Sequence, residues 1–282
     1  MSTTIQEENA TLEAVKAAPR GYVGPGGLRR YQDVNPWLVR GVVVVAFLAF
    51  WEWGARQMNP IFMAAPTAIA AAFVEMLRSG ELLRALAQSI QALVAGYALA
   101  AIVGIPLGLL MGRYRIIEYA LDVFVNAFYA IPLVAFIPLI MLWVGLGVTA
   151  KIVVVFLLAV FPILINTYIG VRNVSRELVE VGEAFCANER EIFTKIVIPD
   201  TVPFIMAGLR LAVGRALIGM VVAEFFTALS GLGAIIVTSA NFFRTDKLFV
   251  PIIVLAVMGI GLTELVGWLE RRVAPWKETQ RT

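Results

Sequence analysis

The sequence predicts an all-α protein that crosses a membrane several times, and three observations carry that expectation. Of 282 residues, 60% are hydrophobic and only 15% are charged, with a mean hydropathy of +0.84. A soluble domain of this length needs far more polar surface, so a bilayer is the natural solvent. Six segments, about 37–55, 85–112, 119–144, 149–171, 203–228 and 248–269, are long and apolar enough to cross a hydrocarbon core of about 30 Å. Helices are required there, because every backbone polar group must be satisfied internally in lipid. Finally, the basic residues gather on one side of those segments.

Residues 1–36 are polar and contain Gly24, Pro25, Gly26 and Gly27 with no apolar run. They do not read as a cleavable signal peptide, since the first hydrophobic stretch begins late and lacks a small-residue cleavage site. A flexible cytoplasmic tail is expected, and the transmembrane domain runs over 37–270. Trp51, Trp53, Trp143 and Trp268 lie near predicted span ends, where interfacial aromatics belong. With the N-terminus inside, the inner segments hold Lys16, Arg20, Arg29, Arg30, Arg113, Arg115, Arg172, Arg176, Arg190, Lys195, Arg271, Arg272, Lys277 and Arg281. The outer ones hold Arg56, Arg78, Arg84, Arg244 and Lys247. Fourteen against five is a positive-inside bias, which puts both termini, including a tail at 271–282, in the cytoplasm of a multi-pass inner-membrane protein.

The chain has no histidine, which removes the commonest general base and metal ligand. Cys186 is its single cysteine, so no intrachain disulfide forms and no metal site is expected. Metalloprotease chemistry needs His-Glu-x-x-His, and no catalytic residue is assigned. No Gly-x4-Gly-Lys-Ser/Thr phosphate loop occurs either, so the chain does not hold ATP in that manner.

In the second span Gly96, Ala100, Gly104, Gly108 and Gly112 recur every four residues and form one small-residue face. It serves close helix packing within the chain or a subunit interface. Pro106, Pro132, Pro138 and Pro162 predict kinks. The fifth span carries Arg210, Arg215 and Glu224. Arg210 is near enough to the inner end to snorkel. Arg215 falls near the midplane, where a charge is expensive and usually functional. Either it faces a translocation pathway or it pairs with a carbonyl or acid of another helix. Glu224 lies nine residues on, about 13 Å along the axis and on the opposite face, so the two do not pair in one straight helix. Asn126, Tyr129 and Asn166 are the other polar mid-span positions, fit to line a pathway or to bond between helices. Residues 230–247, outside the fifth span, have the character of a segment dipping into the outer leaflet or lying there as a short gate helix.

The connection at 172–202 is unlike the others. It is charged, predicted cytoplasmic, and reads as two short helices at 176–185 and 189–196. Such short helices need a surface to pack on. Leu178, Val179, Val181, Ala184 and Phe185 supply an apolar face for a soluble partner.

Within it, Glu180-Val181-Gly182, three residues, Cys186, nine residues and Ile196-Val197-Ile198-Pro199 resemble the "EAA" loop of ATP-binding-cassette importer permeases. That motif reads Glu-Ala-Ala, three residues, Gly, nine residues, Ile-x-Leu-Pro. The spacing is kept, but Val181 and Gly182 replace the two alanines and Cys186 replaces the glycine that permits a tight turn. Cysteine tolerates positive φ poorly, so Asn188 is expected to make the turn. The resemblance covers roughly residues 60–270. Pro66, Ser79-Gly80, Leu82, Ser89, Gly96, Pro132, Pro138-Leu139, Trp143, Gly145-Leu146-Gly147, Lys151, Phe161-Pro162-Ile163, Asn166-Thr167, Gly170, Pro203 and Gly208-Leu209-Arg210 are similar to the nitrate/sulfonate/taurine/bicarbonate branch.

The resemblance implies a type I importer permease fold and a non-catalytic subunit of an ATP-hydrolysing transport complex. Its partners would be two cytoplasmic ATPase subunits, which bind the ATP and Mg, a second copy of the permease, and an extracytoplasmic substrate-binding protein. Glu180, Val181, Gly182, Phe185, Cys186, Ala187 and Pro199 would form the ATPase-coupling loop. The cargo would be a small, anionic solute. A secondary transporter or channel working without an ATPase is the alternative. Such carriers often show inverted repeats and coupling carboxylates, whereas only Glu224 and Glu264 are intramembrane acids away from the span ends here, and no repeat stands out. Nothing suggests a nucleic-acid partner.

Overall fold

A computed structural model describes residues 35–227 and 229–274. The expectations for the tails at 1–36 and 271–282 lie largely outside these residues. The chain divides into two units, up to Trp51 and from Glu52 on. The described part of the first is α1 (Pro36–Gln57), apolar along its length, which continues past the boundary.

In the second unit every described element is helical: α2 (Pro66–Arg78), α3 (Glu81–Arg113), α4 (Arg115–Ala130), a 3-10 turn at Leu133–Phe136, α5 (Ile137–Val144), α6 (Val148–Arg172), α7 (Arg176–Ala184), α8 (Glu189–Ile192), a π-turn at Phe193–Val197, α9 (Ile198–Thr227), α10 (Leu232–Asn241) and α11 (Thr245–Val273). Five helices are long and apolar enough to cross a membrane, or six if the bent pair α4 and the stretch to Val144 count as one span. That pair is where the expected single helix at 119–144 fails: its two parts meet at 89°. Pro132 has no N–H to donate and forces the residue before it out of the helical region. Ile131 accordingly sits at φ −78°, ψ 140° and ends α4. By contrast, Pro106 and Pro162 stay inside α3 and α6.

A three-helix core of α3, α6 and α9 carries the unit, with α11 on α9. Leu93, Ala100, Val155, Ala159, Ile163, Ala212, Ala216 and Met220 fill its centre. The small-residue face of α3 packs within the chain. A Cβ on Gly96 would lie 2.6 Å from that of Val155, and one on Gly108 would lie 2.6 Å from the Leu164 carbonyl, both on α6. The backbones touch there, which is what such a stripe permits.

The fifth span begins earlier than expected. The segment at 189–196 is not a separate short helix but the first turns of one helical run from Glu189 to Thr227. The π-turn stands just ahead of Pro199, whose missing N–H leaves the Lys195 carbonyl without its usual partner. Arg210 does not snorkel freely: it pairs with Glu270 on α11 at 2.6 Å.

Candidate functional site: a docking loop, a mid-chain cavity and a buried ion pair

The loop that joins α6 to the long helix beginning at α8 is built around one turn. Helix α7 ends with Cys186 N–H donating to the Glu183 carbonyl at 2.8 Å and Ala187 N–H donating to Gly182 at 3.0 Å. That is a Schellman ending, and Cys186 occupies its left-handed position with φ +56°. The expectation that Asn188 makes the turn is therefore corrected. Asn188 instead opens α8 at φ −75°, its side chain accepting from Glu191 N–H at 2.9 Å while Glu191 accepts from Asn188 N–H at 3.1 Å. This reciprocal capping satisfies donors that the helix start leaves open. Gly182 also has a physical reason, since a Cβ there would lie 2.8 Å from Ile196 Cδ1.

A left-handed cysteine costs about 1 kcal/mol relative to glycine. Cys186→Gly should slow amide exchange in residues 176–192 by roughly fivefold, the equilibrium equivalent of that energy. Hydrogen-exchange mass spectrometry reads it, and exchange that is unchanged or faster means the turn carries no strain.

Several contacts fix the loop to the membrane helices. Arg113, at the end of α3, donates to Glu189 at 2.9 Å and lies 5.0 Å from the centre of the Phe193 ring. On the adjacent helix pair, Glu118 accepts from Tyr168 and faces Arg172 at 3.8 Å. The outward face of α7 is left uncovered by the described residues: Leu178, Val181 and Phe185 are 47%, 53% and 83% exposed. Glu180 is exposed beside them and has no side-chain partner among the described residues. An apolar strip with a free carboxylate on a rigidly mounted helix suits a groove on another protein. Ala187 is half-buried, and Pro199 lies in the first turn of α9.

Of the five candidate pathway residues, two come together. Tyr129 and Arg215 share a cavity of about 220 Å³ with Ile131, Pro132 and Pro162. The helix break at Pro132 opens this space. Arg215 is exposed and forms no hydrogen bond or ion pair among the described residues. The reading in which it pairs with an acid or carbonyl of another helix is not met among the described residues. The other three lie elsewhere. Asn126 donates to Asp122 at 2.7 Å, and Asn166 donates to the Pro162 carbonyl at 2.8 Å, each within its own helix.

Glu224 is fully buried and belongs to a polar knot at the end of the unit away from the loop. Its carboxylate accepts from Ser89 at 2.8 Å and from Gly233 N–H at 2.8 Å, and faces Lys151 Nζ at 3.5 Å. Lys151, 1% exposed, donates to the carbonyl and hydroxyl of Ser230 at 2.6 and 2.9 Å. Ser89 in turn accepts from Leu232 N–H at 2.9 Å. Glu224 thus caps the start of α10 from a neighbouring helix, a favourable place for a carboxylate. The knot ties α3, α6, α9 and α10 at one point, so α10 is a moored helix rather than a loose flap. Gly231 lies against it at φ +98°, and a Cβ there would overlap the Glu224 carboxylate. Lys151 and Ser89 were visible in the sequence only as residues of the resemblance. A lysine two residues from a predicted span end looks like an interfacial charge, and its partner lies 73 residues further on.

Comparison with known proteins completes the assignment. Residues 104–275 match the family described as the binding-protein-dependent transport system inner membrane component. The permease SsuC of Bacillus subtilis (strain 168), whose name assigns it to aliphatic sulfonates transport, is 32% identical over 95% of this chain and 94% of its own. The riboflavin transport system permease protein RibX of Chloroflexus aurantiacus is 34% identical over 95% of this chain and 98% of its own. A solved structure of the MetNI methionine ABC transporter in inward-facing conformations superposes with a TM-score of 0.55 at 21% identity. It covers 68% of this chain and 95% of the other, and it shows the shared fold. These likenesses do not favour a carrier that works without an ATPase. The chain belongs to the inner-membrane components of binding-protein-dependent transport systems: it is a multi-pass, non-catalytic permease subunit of an ATP-binding-cassette importer, with the type I permease fold.

Proposed function

We propose that the chain admits a small solute carrying an anionic group, and that Arg215 meets that group on its way through. The observation that supports this reading is the guanidinium of Arg215, unpaired among the described residues and facing the cavity that the Pro132 break opens. An unpaired charge in a membrane-spanning helix is costly unless water or a ligand solvates it. Arginine is suited to planar anionic groups such as carboxylate and sulfonate. Tyr129 adds a hydroxyl on the same wall. A relative named for aliphatic sulfonates transport agrees with an anionic cargo, whereas the riboflavin relative shows that the family's cargo varies.

In the proposed complex two permease copies stand side by side, each with an ATPase subunit seated on α7 at Glu180 and Phe185. ATP and Mg are held by those ATPases, an extracytoplasmic binding protein delivers the solute, and loop and termini face the cytoplasm. Closure of the ATPase pair pushes on α7. The push passes through Gly182 and Ile196 into the long helix that carries Arg215.

Uptake of a radiolabelled alkanesulfonate into proteoliposomes containing the whole importer tests the Arg215 assignment. Arg215→Gln should lower uptake at least tenfold, about 1.4 kcal/mol or more in the barrier. ATPase association should be unchanged, because Arg215 is remote from α7. Wild-type uptake by a correctly assembled variant would refute the role.

A further inference from the structure

We propose a second solute subsite, for a small zwitterion, at the end of the chain away from the docking loop, between the first turns of α3 and helix α10. It rests on the reading above, in which the solute carries an anionic group, and adds that the same solute carries a positive one. A pocket of about 300 Å³ opens there, within the range that holds small ligands. Glu81, Arg84, Gln88, Ser230 and Ser239 supply its polar lining.

Ser239 is the telling residue. It is only 7% exposed, borders the pocket, and its hydroxyl has no hydrogen-bond partner among the described residues. The hydroxyl oxygen reaches the pocket rather than the packed core, so it is open to donate to whatever fills the pocket. Gln88 is similarly half-used: its carbonyl oxygen accepts from Gly231 N–H at 3.2 Å, and its NH2 group is left to donate. Ser230 Oγ accepts from Lys151, which leaves its own hydrogen free. Arg84 and Glu81 stand three residues apart on one helix face, and neither makes an ion pair or side-chain hydrogen bond among the described residues.

The wall therefore offers one unneutralised positive charge, one unneutralised negative charge and three neutral donors. An anionic group fits Arg84, Gln88 and Ser239, and an ammonium group fits Glu81. A plain anion meets repulsion from Glu81, and a plain cation meets it from Arg84. The Lys151–Glu224 knot holds Ser230 and Gly231 in place, so these walls are fixed before the solute arrives. The Arg215 cavity has only the positive charge, so it accepts the anionic group and releases the ammonium.

Equilibrium dialysis against the purified permease–ATPase complex, with radiolabelled 2-aminoethanesulfonate and ethanesulfonate as probes, tests this subsite. The aminosulfonate should bind more tightly than ethanesulfonate. Its affinity should fall about tenfold in Arg84→Gln and in Ser239→Val, and Glu81→Gln should erase the preference between the probes. No binding of the aminosulfonate to the wild type, equal binding of both probes, or unchanged affinity in Arg84→Gln and Ser239→Val overturns the proposal. Loss in Arg215→Gln alone also overturns it while leaving the mid-chain reading intact. Loss in Arg84→Gln but not in Arg215→Gln supports the subsite and removes the mid-chain one. Gel filtration of each variant complex establishes that it has assembled.

Discussion

Lys151→Met should be the most destabilising single substitution in the membrane domain, costing on the order of 3–5 kcal/mol. The substitution preserves length and apolar volume but leaves the Glu224 carboxylate buried without its counter-charge. It also strips the Ser230 carbonyl and hydroxyl of their shared donor. Ser89 and Gly233 N–H still hold the carboxylate, which keeps the loss at the level of one broken buried pair. Adding Glu224→Gln should recover most of the stability, because removing both charges of a buried pair is close to neutral. Thermal unfolding of the detergent-purified permease measures both. A Lys151→Met protein as stable as the wild type, or a double variant less stable than the single one, would contradict the role given to the knot. Limited proteolysis near α10 should be fastest in the single variant, since the moorings of that helix are what the substitution weakens.

Glu180→Ala combined with Phe185→Ala should abolish recovery of the ATPase with the permease. Phe185 is 83% exposed, and Val181 and Leu178 continue the same strip, so truncating the aromatic removes the largest apolar anchor. Large aromatic residues at the centre of an interface commonly contribute 2 kcal/mol or more, roughly a thirtyfold change in affinity. The carboxylate adds orientation. Neither residue has a side-chain hydrogen bond among the described residues, so the variant should keep its fold and its thermal stability. Co-purification in detergent, wild type against variant, gives the answer. An ATPase that stays bound places the contact elsewhere and removes α7 from the coupling route.

The proposed docking loop was the most legible part of the candidate site. Its motif spacing survives at Glu180, Cys186 and Pro199, and the left-handed turn falls at the position where the family has glycine. What misled was residue chemistry: cysteine is a poor choice for positive φ, so Asn188 looked the better candidate. The two Schellman hydrogen bonds override that preference, because they satisfy carbonyls that the end of α7 would otherwise leave open. Asn188 then follows its own local chemistry as a helix cap.

The candidate pathway residues were legible by type but not by partner. Arg215 stands out in any hydropathy reading, and its pairing with Tyr129 in one cavity depends on where the Pro132 break turns the chain. Asn126 and Asn166 had the same polarity as Tyr129, yet each is occupied four residues back along its own helix. Glu224 has the type of a pathway acid, and it lies buried against Ser89, Lys151 and Gly233.

The sequence alone determined that the chain is helical and membrane-spanning, which segments are apolar enough to cross, and which permease family it resembles. Composition and period suffice for the first two, because lipid leaves a backbone few alternatives, and the motif from Glu180 to Pro199 carries the resemblance. Tertiary structure decided which polar residues face a cavity and which are consumed inside the core. It also decided that the third span is broken at 89° and that α10 is moored. The mooring of α10 rests largely on contacts between residues 73 to 143 positions apart, such as Lys151 with Glu224 and Ser89 with Leu232. No local pattern encodes such distances, since each partner by itself looks like an ordinary polar residue near the end of a helix.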